Sequence, residues 1–265
     1  MKRMALAAAS AAVLIGSQVQ AASVDITGIS GIWTATTGTT ASGLNTDSIR
    51  WGDPATNKGK SGYDFDSAAT PQNGLLANVL FDLGDFTHLN NPIYPPSITG
   101  ATLKVVIDLM IGNESKTIET IYNFTHWETD NVPKKKKKGY EKCADGGEYG
   151  VGINENGCAD LVTATLNEGL TQSFKIGDDE YVFIIEGFKV GNSLFSEFWT
   201  KEEADNSATL KGRYVLKECV SENPTSDKCK PIDPEDPPTV PLPAAGWLML
   251  AGLGGLGAMA RRRRH

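Results

Sequence analysis

The sequence predicts an all-β fold, a β-sandwich or jelly roll of antiparallel strands, and three observations carry that prediction. Polar and apolar residues alternate at a period of two in several segments, one further run is almost wholly apolar, and Gly, Asn, Asp and Pro separate these runs. About 200 residues lie between the two chain ends, enough to bury one sizeable core.

In chain order, "GIWTATT" (31–37), "SIRWG" (48–52) and "LLANVLFDLG" (75–84) are short strand candidates. "ATLKVVIDLMI" (101–111) sets Leu103, Val105, Ile107, Leu109 and Ile111 on one face, with Thr102, Lys104 and Asp108 on the other, as a strand with one buried side requires. "TIETIYNFTHW" (117–127) and "DLVTATLN" (160–167) are further candidates. "YVFIIEGF" (181–188) is nearly all apolar and reads as a central strand. "NSLFSEFWTKEEAD" (192–205) is the one stretch of helical character: Asn192 or Ser193 offers a cap, and Leu194, Phe195, Phe198 and Trp199 share one side. "SATLKGRYVLK" (207–217) returns to alternation, with Ala208, Leu210, Tyr214 and Leu216 set against Thr209, Lys211, Arg213 and Lys217.

Residues 1–21 combine Lys2 and Arg3, an apolar stretch from Met4 to Gly16 and small residues up to Ala21, the pattern of a secretory signal peptide. That stretch is shorter than the roughly 20 residues a membrane-spanning helix needs, which argues against an N-terminal anchor. Residues 22–220 then form the β domain. Residues 221–239 are proline-rich and acidic, cannot build a core, and read as an extended linker.

Residues 240–265 begin with Val240, Pro241, Leu242, Pro243 and Ala244 and continue as an apolar, glycine-rich helix just long enough to cross a membrane. They end in Arg261, Arg262, Arg263 and Arg264, which stop transfer and stay cytoplasmic. This succession resembles the VPLPA variant of the PEP-CTERM sorting signal. The resemblance implies a precursor cut by signal peptidase, tethered in the inner membrane of a Gram-negative bacterium through this helix, and then processed by an exosortase-type transpeptidase. It further implies delivery to the cell surface or the exopolysaccharide matrix. An uncut tail anchor is the alternative.

The whole chain carries a net charge of −7. Loss of residues 1–21 and of the tail removes Lys2, Arg3 and the arginine cluster, leaving 19 basic against 32 acidic side chains and a net charge of −13. So acidic a body repels nucleic acid and anionic lipid and attracts divalent cations.

The body has its own resemblance. "GIW" (31–33), "IRWGDP" (49–54), "FDLGDFTHLNNPI" (81–93), "ETDN" (128–131), "NGCAD" (156–160) and "EGF" (186–188) resemble the choice-of-anchor K domain across most of residues 31–217. This implies an extracellular β domain and assigns no biochemical activity.

The chain has four cysteines, and in an exported protein disulfides are expected. Three pairings are possible. Short local loops favour Cys143 with Cys158 and Cys219 with Cys229, and zinc is disfavoured because His126 has no histidine near it in sequence.

The segment from Thr129 to Asp160 is unusually long for a connection within a domain. Asp130, Asp145, Asn154, Asn156 and Asp160 are hard oxygen donors among glycines, which suits a structural Ca²⁺, although the spacing is not that of an EF-hand and solvated turn residues explain the same composition. Lys134, Lys135, Lys136, Lys137 and Lys138 either contact an anionic glycan, making exopolysaccharide a partner, or form a solvated loop. His88, beside Asn90, Asn91 and Pro92, reads as a turn-organising residue. Trp33, Trp51, Tyr63 and Trp127 read as core or, where exposed, as sugar-stacking platforms.

Catalysis has little to stand on. There is no Gly-x-Ser-x-Gly elbow and no His-Glu-x-x-His motif. Glu128 and Asp130 approach the Glu-x-Asp-x-x-Glu pattern of jelly-roll glycosidases, but Pro133 stands where the last acid belongs. The expectation is therefore a non-enzymatic surface or matrix protein with a display or binding role. A calcium-assisted carbohydrate-binding adhesin is the runner-up, and a glycoside hydrolase is the more distant alternative.

Overall fold

The computed structural model describes residues 23–167, 169–220 and Cys229. The expected signal peptide, the linker apart from Cys229, the sorting motif, the membrane helix and the arginine cluster lie outside the described residues. Among the described residues no helix is long and apolar enough to cross a membrane.

The chain enters through β1 (Val24–Thr37), β2 (Ser48–Trp51), β3 (Asp53–Pro54), β4 (Ser61–Ser67), β5 (Gln72–Leu75), β6 (Phe81–Asn90) and β7 (Ile93–Tyr94). A long hairpin follows, β8 (Gly100–Ile111) and β9 (Glu114–Trp127), and then a small ribbon of β10 (Lys135–Lys136) and β11 (Gly139–Tyr140). The last strands are β12 (Asp160–Leu166), β13 (Phe174–Ile176), β14 (Asp179–Val190), β15 (Ser193–Phe195), β16 (Glu197–Thr200) and β17 (Ala204–Leu216). Two 3₁₀ turns, Gly152–Asn154 and Lys217–Cys219, complete the described elements.

Two antiparallel sheets hold most of these strands. The first runs β16-β12-β9-β8-β1-β5, and the second runs β13-β14-β17-β6-β4-β2, with β15 also on β14. Strand β14 has partners on both sides, as its continuous apolar character requires.

Leu103, Val105, Ile107 and Leu109 all point into the core, as the period of two predicts. Aromatic rings bridge the two sheets. Phe86 on β6 stacks against Phe124 on β9 at 5.4 Å, and Phe188 on β14 stacks against Phe198 on β16 at 5.3 Å. Gly31 on β1 lies flush against the Phe65 ring, which occupies the space any Cβ would need. The glycine of "GIW" is thus a packing requirement.

The stretch 192–205 is not a helix. It forms β15, β16 and the start of β17, joined by turns. Phe198 and Thr200 face inward while Glu197 and Trp199 face outward with more exposure, so the segment obeys a period of two. Its apolar residues fit either period, and pairing of β15 with β14 and of β16 with β12 overrides the local helical preference.

Phe86 also touches the rings of Trp33, Tyr63, Phe188 and Phe198. Phe86→Ala is expected to lower stability by about 3–5 kcal/mol in urea unfolding, the range for a truncated core aromatic; a loss under about 1 kcal/mol would show that the two sheets do not depend on this contact.

Candidate functional site

One end of the sandwich is polar inside. The alternation that buries Tyr122 and Phe124 on β9 next buries His126, and strand pairing sets it beside Val162 of β12. Asp160 of β12 and its partner Thr200 of β16 extend this inner layer. The opposite sheet supplies Trp51 from β2, Tyr63 from β4, and His88 and Asn90 from β6, all buried. The regular pleat therefore carries polar side chains inward at this end, where each must find a partner or be left unsatisfied.

Tyr63 Oη and His126 Nδ1 lie 2.6 Å apart and connect the sheets. Burial, followed by the Asp160 and Glu128 carboxylates, raises the Tyr63 pKa, so the phenol keeps its proton. His126 Nε2 lies 3.2 Å from Glu128 Oε2, a carboxylate oxygen that also accepts from Ser97 Oγ at 2.8 Å.

His88 is held neutral, its pKa lowered by burial first and by His126 second. Its Nδ1 lies 2.8 Å from Thr200 Oγ1, and that hydroxyl donates to the Asp160 carbonyl at 3.2 Å. The ring stacks on Trp51 at 5.9 Å. His88 is thus a buried strand residue and not the organiser of a turn.

Asp160 uses one carboxylate oxygen to accept from the Thr129 amide at 2.7 Å, which pins the start of the long connection to β12. Its other oxygen, Oδ2, has no protein partner. Glu202 arrives from the turn between β16 and β17. Asn206 builds that turn: its Oδ1 accepts from the Lys201 amide, and its Nδ2 donates to the Lys201 and Ala204 carbonyls. Glu203 takes a left-handed φ of 57°.

The result is that Glu202 is 0% exposed, with both carboxylate oxygens unpartnered. Asn131 Oδ1 and Asn90 Oδ1 are unpartnered as well. Asp160 has its pKa raised by burial first, then by Glu128 and Glu202. Burial, then Glu128 and Glu203, pushes Glu202 up to about 8. His126, Glu128 and Asp160 bring ligand atoms to within 4.8 Å of one another.

Outside this layer the pleat turns Trp127 to solvent, where it is 54% exposed. Leu161 lies across from it on β12 and Trp199 beyond that on β16, the two indoles standing 6.3 Å apart. Trp127 opens onto a shallow cleft whose lining includes Glu128, Asp130, Lys134, Glu141 and Lys142, bounded by the Cys143–Cys158 disulfide.

Both expected disulfides are formed, with Cα separations of 5.3 Å for Cys143–Cys158 and 5.1 Å for Cys219–Cys229. The five oxygen donors of the long connection do not converge. Asn154 Nδ2 donates to both Asp145 oxygens at 3.0 Å, Gly147 N donates to one of them, and Asn154 Oδ1 accepts from the Ala159 amide. Asn156 Nδ2 donates to the Glu202 carbonyl at 3.2 Å, and Asp130 is exposed. Short Asp and Asn side chains here satisfy the loop's own amides and carbonyls. Of the five, Asp160 alone keeps a buried oxygen without a partner.

Lys134 to Lys138 are all exposed. Lys135 and Lys136 form one arm of the β10–β11 ribbon, with Lys136 3.3 Å from Glu141. Trp33, Trp51 and Tyr63 are core, which leaves Trp127 as the exposed aromatic of that set. Sequence reasoning missed Glu202, hidden in a stretch with helical periodicity, and set His126 aside for want of a histidine neighbour. The inward parity of His126 after Tyr122 and Phe124 was the signal available for it.

Neither protein-family models nor curated proteins match this chain.

The titration of Glu202 has a stability consequence. Its folded pKa, about 8, lies above the ordinary 4.5, so the folded state holds a proton that the unfolded chain has released. In buffer without divalent cations, stability should therefore fall as pH rises from about 4.5 towards about 8. Glu202→Gln should flatten that slope by about 1.4 kcal/mol per pH unit, measured by denaturant unfolding across this range. An unchanged slope would show that Glu202 is already ionised in the fold.

Proposed function

We propose that this chain is an exported, non-enzymatic surface or exopolysaccharide-matrix protein whose β-sandwich binds polysaccharide across the Trp127 cleft. The observation that carries the binding role is the solvent-facing Trp127, set beside Trp199 at the rim of a polar cleft. An indole in that position offers an apolar face to a sugar ring, and the surrounding carboxylates and ammonium groups offer hydrogen bonds to hydroxyls.

The lysine ribbon gives the proposed ligand its charge. Lys134 lines the cleft and the exposed Lys135 to Lys138 continue from it, so a polyanion crossing Trp127 meets the densest positive charge in the described body. The proposed route to that ligand is the signal peptide, followed by sorting through Val240–Ala244 and the arginine tail. Two disulfides accord with passage through an oxidising compartment.

Buried carboxylates support binding over hydrolysis. A glycosidase needs two carboxyl groups flanking a sugar, whereas Asp160 and Glu202 are closed off from solvent and Glu128 is engaged by Ser97 and His126.

Affinity electrophoresis through gels containing acidic exopolysaccharide tests this reading. Trp127→Ala should weaken retention about tenfold, a loss of about 1.4 kcal/mol. Serine at positions 134–138 should weaken retention on acidic but not on neutral polysaccharide, with the difference shrinking as salt rises. Unchanged retention of the Trp127 variant would remove the cleft as the binding site.

A further inference from the structure

We propose that the closed polar end of the sandwich binds one calcium ion through carboxylate oxygens of Asp160, Glu202 and Glu128. The site adjoins the glycan cleft, with which it shares Glu128, and it has only Asp160 in common with the ligand set that the composition of the long connection suggests.

Three observations converge on it. First, the acceptors outnumber the donors. Asp160 Oδ2 and both Glu202 oxygens are buried without a protein partner, and these two residues are 0% exposed. Buried oxygens of this kind are costly unless a cation or water completes them.

Second, among the described residues no lysine or arginine pairs with Asp160 or Glu202. Lys201, next to Glu202 in sequence, is paired with Glu155 at 2.7 Å, and Lys136 is paired with Glu141. The groups facing the pocket are Tyr63, which keeps its proton, and the neutral His88, together with His126 and Glu128. A divalent cation supplies the charge that these groups do not.

Third, the unpartnered groups of Asp160 and Glu202 are carboxylate oxygens, and their chemistry selects the kind of cation. Tyr63 Oη contacts His126 Nδ1, and the other ring nitrogen, Nε2, faces Glu128. His126 Nε2 lies 3.2 Å from Glu128 Oε2 and orients that carboxylate. Hard carboxylate oxygens favour calcium, whereas zinc would draw on the nearby nitrogens of His126 and His88.

Glu128 reaches from this group to the cleft, its side chain 24% exposed, and provides the way in. Gly157 closes the other side: a Cβ there would approach Glu202 Cγ to 2.9 Å, and Gly157 also has a positive φ of 152°. The ion would thereby tie together three stretches distant in sequence: the strand end at 128, the loop end at 157–160 and the turn at 202.

The test uses the purified protein, stripped with chelator and then titrated with calcium, followed by calorimetry and thermal unfolding. One calcium per chain and a rise in Tm are expected. Glu202→Gln should weaken binding about tenfold or more. Glu202 makes no side-chain hydrogen bond to the protein, so this variant should fold, whereas Asp160→Asn serves as a second variant only if it does. Asp145→Asn should bind as the parent does, since Asp145 is engaged within its own loop.

No heat and no Tm change up to millimolar calcium would overturn the proposal. So would loss of binding in the Asp145 variant with retention in the Glu202 variant. Zinc binding that is abolished by His126→Gln, in a protein indifferent to calcium, would overturn the all-oxygen assignment.

Discussion

The hydrogen bond between Tyr63 and His126 is the contact on which the polar end of this molecule depends. It spans the two sheets, links residues 63 positions apart in the chain, and lies wholly inside the protein. The phenol keeps its proton in a dry, carboxylate-rich surrounding, and the far nitrogen of the same imidazole faces Glu128. His126 is thereby aimed at Glu128, while Asp160 Oδ2 and both Glu202 oxygens stay unpartnered.

Around that bond the sandwich divides into two chemistries along one axis. Most of the space between the sheets is filled by rings such as Phe86, Phe124, Phe188 and Phe198, where interdigitation and excluded water supply the stability. At the end where β9, β12 and β16 present His126, Asp160 and Thr200, the same inward parity delivers polar groups instead. One residue further along β9 the parity reverses and exposes Trp127. A buried acidic layer and an exposed aromatic face therefore follow from consecutive residues of one strand.

Much of the architecture was legible in the sequence because a pleated strand has one period. Leu103, Val105, Ile107 and Leu109 could be assigned to the core from spacing alone, and β14 could be given partners on both sides from its apolar run. The disulfides were legible because short loops favour local pairing. The site was less so. Asp160 was singled out for its oxygen donors, but its companions come from β9 and from the β16–β17 turn, and contacts between them are made only by strand pairing. Glu202 was obscured further, because Leu194, Phe195, Phe198 and Trp199 suit a helix as well as two strands until β12 and β14 claim them. The Asp and Asn residues of the long connection misdirect for a physical reason: in a glycine-rich loop they serve the loop's own backbone.

The unpartnered carboxylate oxygens of Asp160 and Glu202 in the closed layer call for an oxygen-bound cation. Crystals of the protein grown with calcium and then exchanged into manganese would test it through anomalous scattering. The account predicts a single strong peak about 2.1–2.6 Å from carboxylate oxygens of Asp160 and Glu202, with His126 Nε2 directed at Glu128 and outside the coordination sphere. A layer holding only ordered water, or a peak ligated by His126, would contradict it.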